Sequence, residues 1–285
     1  MFIRFWGVRG TIPTPGRETI RVGGNTSCIE VRTSDDQLII LDAGTGILPL
    51  GKHLLKENPG RITGSILISH THWDHIQGFP FFSPIWGRTN RFVLVGRKRV
   101  GQRLEEIVSG QFIEPYLPFA YKSLPADLIV KEVDDDETLI IGDRTRVQVA
   151  TMNHPGGCLG FRIENDGVVF TYCSDVGHED DGFDPGVLKL AQGADLLVHD
   201  SHFATLDERN LRRDWGHSTW LEAAQVALET NVKNLALFHF APDMIDPDVE
   251  HILEKTRAIF PRSMIAHEGL QLTLPLVGDL PDLAP

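Results

Sequence analysis

The sequence predicts an α/β sandwich, in which sheets are covered by helices, in preference to a simple doubly wound parallel sheet. Two observations carry this. Short β-branched or alternating runs recur along the whole chain, in groups close enough to pair antiparallel. Helical patterns fall between those groups, where they can cover a sheet.

The elements follow in order. Strand runs at Met1–Gly7, Ser27–Thr33 and Leu38–Asp42 are bounded by Gly, Asn or Asp, and a helical pattern follows at Ile47–Lys56. Ser65–Ser69 and Arg91–Gly96 are apolar runs of buried-strand character, and Val100–Ser109 has helical spacing. Next come Leu128–Val133, Thr138–Ile141, Thr145–Ala150, Gly160–Ile163 and Val168–Ser174, with Asn165-Asp166-Gly167 reading as a hairpin turn. Helices at Pro185–Gln192, Ser218–Thr230 and Pro247–Phe260 alternate with strands at Asp195–Asp200, Asn234–Phe240 and Ser263–His267. Ser218 reads as an N-cap, with Glu222 close behind. No linker, low-complexity stretch or internal repeat stands out, so residues 1–285 are expected to form a single domain.

Composition bounds the function. At 285 residues, 41% hydrophobic and 23% charged, the chain is an ordinary globular protein with length for a substantial core. It carries 27 Lys+Arg against 39 Asp+Glu, a formal charge of −12. That balance argues against a basic footprint for long duplex nucleic acid, and large duplex partners are expected to be absent. No apolar run approaches a membrane span of about 20 residues, and the alternating start MFIRFWGVRG lacks a signal peptide's apolar core. No membrane partner is expected. Three cysteines, Cys28, Cys158 and Cys173, do not make a disulfide framework, which points to a reducing cytoplasm.

Histidine is unusually frequent, at 12 residues, and its placement is informative. Ser69-His70-Thr71-His72-Trp73-Asp74-His75 follows an apolar strand run. Four potential ligands within six positions, at a strand end, form a metal-binding signal. Imidazole and carboxylate are the donors that a borderline cation such as Zn²⁺ takes.

This His-x-His-x-Asp-His stretch resembles the metallo-β-lactamase superfamily. Its remaining motifs have counterparts in order: Leu41-Asp42-Ala43-Gly44, Asn153-His154-Pro155-Gly156, Tyr172-Cys173-Ser174-Asp175 and Phe238-His239-Phe240. The resemblance implies a four-layer αββα sandwich and two divalent metal ions. His70, His72, His154 and Asp175 would hold the first. Asp74, His75, His239 and the shared Asp175 would hold the second. Zinc is favoured, because His72 stands where the diiron flavoprotein branch has Glu, although oxygen and nitrogen donors also serve Mn²⁺. Asp42 would orient the metal-binding loop by hydrogen bonds. Cys173 reads as a small buried apolar residue rather than a ligand.

Trp215-Gly216-His217-Ser218-Thr219, ahead of a helix, resembles the phosphodiesterase branch, which includes ribonuclease Z and bacterial cyclic-nucleotide phosphodiesterases. Its histidine would assist the leaving group, with an acidic partner at Asp200, where ribonuclease Z more often has Glu. Asp74, His217 and Asp200 are thus the candidate catalytic residues. The expected reaction is attack on a phosphodiester by a metal-bridged hydroxide. A small cyclic nucleotide or related phosphodiester is the expected substrate, since only an ordinary hairpin separates His154 from Asp175, leaving no room for a tRNA-gripping arm. Alternatives are a thioesterase or lactonase with the same metal ligands, a nuclease on single-stranded ends, or a non-enzymatic binding protein. Relatives of this kind are often dimers, so a homodimer is one expected arrangement.

Several features stay open at this level. Arg88, Arg91, Arg97, Lys98, Arg99 and Arg103 fit either a phosphate-binding rim or a solvated face. The aromatic run Phe79–Trp86 fits base stacking, core or a dimer contact. Asn25 lies in a Gly-Gly-Asn turn that the resemblance puts near the metals. His53, His178, His199, His202 and His251 carry no motif, and His267 is the outsider best placed to reach the site edge.

Overall fold

The computed structural model describes residues 1–179 and 182–283. The first half builds β1 (Phe2–Gly7), β2 (Cys28–Arg32), β3 (Leu38–Leu41), α1 (Ile47–Glu57), β4 (Thr63–Leu67), α2 (Trp73–Ile76), β5 (Arg91–Arg97), α3 (Leu104–Ser109) and β6 (Asp127–Val133). The second half builds β7 (Thr138–Ile141), β8 (Thr145–Met152), β9 (Cys158–Asn165), β10 (Val168–Cys173), α4 (Pro185–Ala191), β11 (Leu196–Asp200), α5 (Leu206–Leu211), α6 (Trp220–Glu229), β12 (Leu235–Phe238), α7 (Asp246–Ile259), β13 (Ser263–Ile265) and β14 (Gln271–Thr273).

The strands form two seven-stranded sheets, ordered β14-β1-β2-β3-β4-β5-β6 and β13-β12-β11-β10-β9-β8-β7. Both follow one plan. Neighbours from β14 to β3 and from β7 to β10 pair antiparallel, and those from β3 to β6 and from β10 to β13 pair parallel. This topological repeat leaves no trace in the sequence, because a shared strand order requires only matching hydrophobic patterns. The three-residue β14 falls outside the strand runs read from the sequence. It is short and only Leu272 is buried, so alternation has too little length to register.

Burial explains the strand compositions. In β3, Ile39 and Leu41 face the core between the sheets, while Leu38 and Ile40 face the layer under α1. A strand covered on both faces must be apolar throughout, as Leu38–Leu41 is. Helix α1 supplies the cover through Ile47, Leu50, Gly51 and Leu54, one stripe at helical spacing. On the far side, α6 buries Ala223, Ala224, Val226 and Ala227. The result is the four-layer αββα sandwich.

Local chemistry adjusts three boundaries. Helix α3 starts at Leu104 rather than Val100, because Gly101 adopts φ 86° and interrupts any helix there. The N-cap of α6 is Thr219, not Ser218. Thr219 Oγ1 accepts from the Glu222 amide at 3.2 Å, and the Glu222 carboxylate accepts from the Thr219 amide at 2.8 Å. The β9–β10 hairpin turns through Asp166 and Gly167, both at positive φ, as a two-residue loop matching strand twist requires. No helix among the described residues is long and apolar enough to cross a membrane. The three cysteines are free and buried.

Candidate metal centre

The parallel strands of both sheets end on one edge of the sandwich, and the loops that leave them meet there. Asp42 follows β3, His70–His75 follow β4, His154 follows β8 and Asp175 follows β10. Asp200 ends β11, His239 follows β12, and His217 sits just ahead of α6. Their Asp and His residues are all buried except His72 and His217, and the His217 side chain is only 9% exposed.

The donors converge in two groups around Asp175. His154 Nε2 lies 3.1 Å from His72 Nδ1, and the His70 Nε2 and His154 Nε2 atoms lie 3.7 and 3.8 Å from Asp175 Oδ2. On the other side, His75 Nε2 is 3.2 Å from His239 Nε2, 3.2 Å from Asp74 Oδ2 and 3.2 Å from Asp175 Oδ1. His239 Nε2 is 3.2 Å from Asp74 Oδ2 and 3.4 Å from Asp175 Oδ2. Asp175 therefore touches both groups.

The supporting bonds set which ring nitrogen faces inward. His75 Nδ1 donates to Asp42 Oδ2 at 2.8 Å, and His154 Nδ1 donates to the Gly216 carbonyl at 2.9 Å. His70 Nδ1 lies 3.2 Å from Ser69 Oγ, whose own proton goes to Asp42 Oδ2. Each ring is thus held from behind, leaving the Nε2 lone pair for the interior. Asp42 anchors much of this. Besides His75, it accepts from the Ser69 amide at 2.7 Å, the Ser69 hydroxyl at 2.8 Å and the Tyr172 hydroxyl at 2.7 Å. Asp42 and His239 adopt φ 60° and 62°, a strained backbone, and these contacts hold Asp42 in it.

Buried, unpartnered donor atoms test whether a cation fits. His70 Nε2 and Asp175 Oδ1 make no hydrogen bond although fully enclosed. Pairs of ring nitrogens face each other at close range, an arrangement that only a shared proton or a shared cation makes favourable. Imidazole and carboxylate are the donor set of zinc and similar divalent ions, so these residues fit a metal. Burial pushes the His70 imidazole well below its usual range, and the neighbouring His75 pushes it the same way. His154 is lowered to about 4, chiefly by burial. A neutral imidazole is the form that binds a cation.

Beside this centre stands a second pair. His217 Nδ1 bonds Asp200 Oδ2 at 2.8 Å, and the same nitrogen is 3.9 Å from Asp175 Oδ2. Burial raises the Asp200 carboxyl well above the carboxylate range and lowers the His217 imidazole. Asp200 Oδ1 also accepts from the His202 amide at 2.9 Å. His202 is the residue near the centre that the sequence reading passed over. Its ring stacks on His217 at 4.2 Å, and Nδ1 donates to the His239 carbonyl. Its position two residues beyond Asp200 was the available signal. Gly10 packs against this cluster, where a Cβ would stand 2.5 Å from the His239 ring. The adjacent Thr11 amide donates to Asp74 Oδ2 at 2.8 Å. A cavity of about 550 Å³ opens alongside, bordered by Thr11, His202, Phe203 and Trp215.

Other candidates lie elsewhere. His267 bonds its neighbour's carbonyl and joins none of the donor groups found among the described residues. Asn25 gives its amide and side chain to Glu268, bracing the N-terminal turn. Phe79, Phe82 and Ile85 are core, while Phe81 and Trp86 are half exposed, with Trp86 edge-on to Phe119. Cys173 is buried, and burial pushes its thiol up, as a small apolar residue requires.

Residues 38–240 match the family model described as "Beta-lactamase superfamily domain". The chain is 26% identical to a Ribonuclease Z of Bacteroides fragilis (strain ATCC 25285), over 84% of this chain and 90% of that protein. Among solved structures, it resembles the metallo-beta-lactamase fold protein YhfI from Bacillus subtilis, with TM-score 0.72, 19% identity, and 95% and 98% of the two chains covered. It also resembles the short form of human tRNase Z, with TM-score 0.69, 19% identity, and 97% and 100% covered. These relatives correct the exclusion of large duplex nucleic acid drawn from the −12 charge. Net charge is a sum over the whole surface, whereas a polyanion meets only the local field of the face that binds it.

Proposed function

The chain belongs to the beta-lactamase superfamily and is a metal-dependent hydrolase, and on that premise we propose that it cleaves phosphodiesters with His217 assisting the leaving group. The observation that carries this is the Asp200–His217 bond of 2.8 Å, made to a fully buried carboxylate beside the metal donors. A hydrolase that only needed an activated water would have no use for a second, separately oriented imidazole at that position.

His70, His72, His154 and Asp175 are our donor set for one divalent cation, and Asp74, His75, His239 and Asp175 for a second. Zinc suits this nitrogen-rich set, and Mn²⁺ is the alternative. When bound, two such ions acidify water and neutralise phosphoryl oxygens. The protein's own groups do the rest. Asp42 holds His75 and Ser69 so that the loop after β4 keeps its shape. Asp200 holds His217 by Nδ1, leaving Nε2 without a protein partner among the described residues and available to deliver a proton or hydrogen bond to the departing oxygen. Asp74, fixed by the Thr11 amide, completes the carboxylate side of the centre.

Small cyclic nucleotides are one substrate class in this proposal. RNA is a second reading, favoured by relatives named Ribonuclease Z and tRNase Z. A cytoplasmic location for a single-domain enzyme of 1–285 accompanies it.

The test is turnover by chelated and by zinc- or manganese-reloaded protein. The panel comprises bis(p-nitrophenyl) phosphate, 2′,3′- and 3′,5′-cyclic nucleotides, a short oligoribonucleotide and a thioester. Metal-dependent phosphodiester cleavage without thioester cleavage is expected. Thioester cleavage alone would leave the metal donors in place and remove the phosphodiesterase reading.

A further inference from the structure

The six basic residues from Arg88 to Arg103 do not behave alike. Arg91 pairs with Asp127, Lys98 with Asp134 and Arg103 with Glu105. Arg88 is exposed in the loop before β5. Arg97 and Arg99 have no carboxylate partner among the described residues, in a protein whose formal charge is −12. In so acidic a chain, two adjacent guanidiniums without a counter-charge call for a ligand.

Their position explains which ligand. Strand β5 runs parallel beside β4, with Leu67 opposite Val95. Two residues further on, Arg97 ends β5, still paired with Val133 of β6, at the level where Ser69 and His70 leave the sheet. The Arg97 guanidinium turns onto the loop that carries His154, where Nη1 donates to the Gly156 carbonyl at 2.5 Å. Gly157 makes room for it. A Cβ there would sit 1.9 Å from Arg97 Nη1, and its φ of 77° already disfavours a side chain. The Gly157 amide in turn donates to the His154 carbonyl at 2.7 Å. Arg99 lies over the same turn, with its guanidinium nitrogens 3.7 and 3.9 Å from where a Gly156 Cβ would be. Partial burial and the positive charge of Arg97 both hold the Arg99 guanidinium below its usual range, so the two cations share one site.

We infer that Arg97 and Arg99 form a phosphate subsite at the rim of the metal centre, which binds a second phosphate of the substrate beyond the one being cleaved. Guanidinium forks match phosphate oxygens, and an anionic phosphate group would relieve the repulsion between the two arginines. The inference rests on the phosphodiesterase reading and narrows its substrate class, from a lone phosphodiester to a nucleotide carrying another phosphate. Two sources share that chemistry: the next phosphodiester of a strand, and a terminal phosphate on a mononucleotide.

Arg99→Ala is the cleaner variant, because Arg99 makes no hydrogen bond to the His154 loop, and Arg99→Glu amplifies it. Steady-state kinetics of metal-loaded protein would compare four substrates. Bis(p-nitrophenyl) phosphate and a 2′,3′-cyclic nucleotide carry one phosphate. A tetraribonucleotide and a 5′-phosphorylated 2′,3′-cyclic nucleotide carry more. The expected result is a rise in KM of about tenfold for one or both of the last two, with kcat and the one-phosphate substrates unchanged. A penalty on the tetranucleotide assigns a strand phosphate, and one on the 5′-phosphorylated nucleotide assigns a terminal phosphate. The salt dependence of tetranucleotide binding, read by anisotropy of a labelled phosphorothioate, should fall in slope by about 0.7 per lost contact. Equal losses on all four substrates would overturn the subsite and make Arg99 a support of the His154 loop, and no loss on any would overturn it outright. Wild-type protein that cleaves no phosphodiester would instead sink the underlying reading, while the anisotropy arm still reports on the subsite.

Discussion

The two sheets serve the centre in different ways. The first delivers His70, His72, Asp74 and His75 from a single turn after β4, braced by Asp42 at the end of the adjacent β3. The second delivers His154, Asp175, Asp200 and His239 from the ends of four strands, with His217 from the entry to a helix. The strand plan of the two sheets is the same. A compact loop is stiff because its members brace each other, whereas a distributed set is only as well placed as the sheet that spaces it. The first sheet therefore depends on Asp42, and the second on Asp175, the donor that reaches both groups among the described residues.

Removing Asp175 should break that division most completely. Asp175→Ala is expected to lower metal content and to reduce turnover on the order of 10³-fold or more, since it withdraws a donor from both groups. Metal analysis beside kinetics checks this, and retention of two equivalents would mean the two groups do not share it. Next in size is His217→Ala. Phosphodiester turnover should drop by ~10²-fold or more while metal content stays at the wild-type level. An unchanged rate would reduce the His217–Asp200 pair to a structural bond.

Asp42→Asn sharpens the comparison from the first sheet's side. It keeps the shape and loses the charge that His75, Ser69 and Tyr172 all address. Metal affinity, measured by competition with a chromophoric chelator, should weaken by roughly 10–100-fold. Undiminished affinity would show that the β4 loop keeps its geometry unaided. The smallest effect belongs to Thr219→Ala, which removes the N-cap that starts α6 directly after His217. Denaturant unfolding should report a loss of about 1 kcal/mol, with activity close to wild type. A large loss of activity at unchanged stability would mean that the cap positions His217 as well as the helix.

The fold and the site were legible to different degrees for the same reason. The β4 loop announces itself because its donors are neighbours in the chain. Strands such as β3 announce themselves because burial on both faces demands an unbroken apolar run. His202 carries only a faint local signal, its place two residues beyond Asp200. It matters only because β11 and β12 are adjacent, which sets its ring against His217 and under the His239 carbonyl. The basic stretch likewise reads as one patch in sequence, yet carboxylates neutralise three of its members and a glycine turn collects two.

Sequence by itself determined the longer secondary elements, though not the short α2, α5 and β14, and the candidate donors and their order, since hydrophobic period and side-chain chemistry are local properties. It also carried the family's motifs. Tertiary structure alone decided which strand ends meet, which ring nitrogen faces inward, and which charges go unpaired. It also decided how far a net charge of −12 governs any one face. Those are distances between residues far apart in the chain, and only the packing of the two sheets sets them.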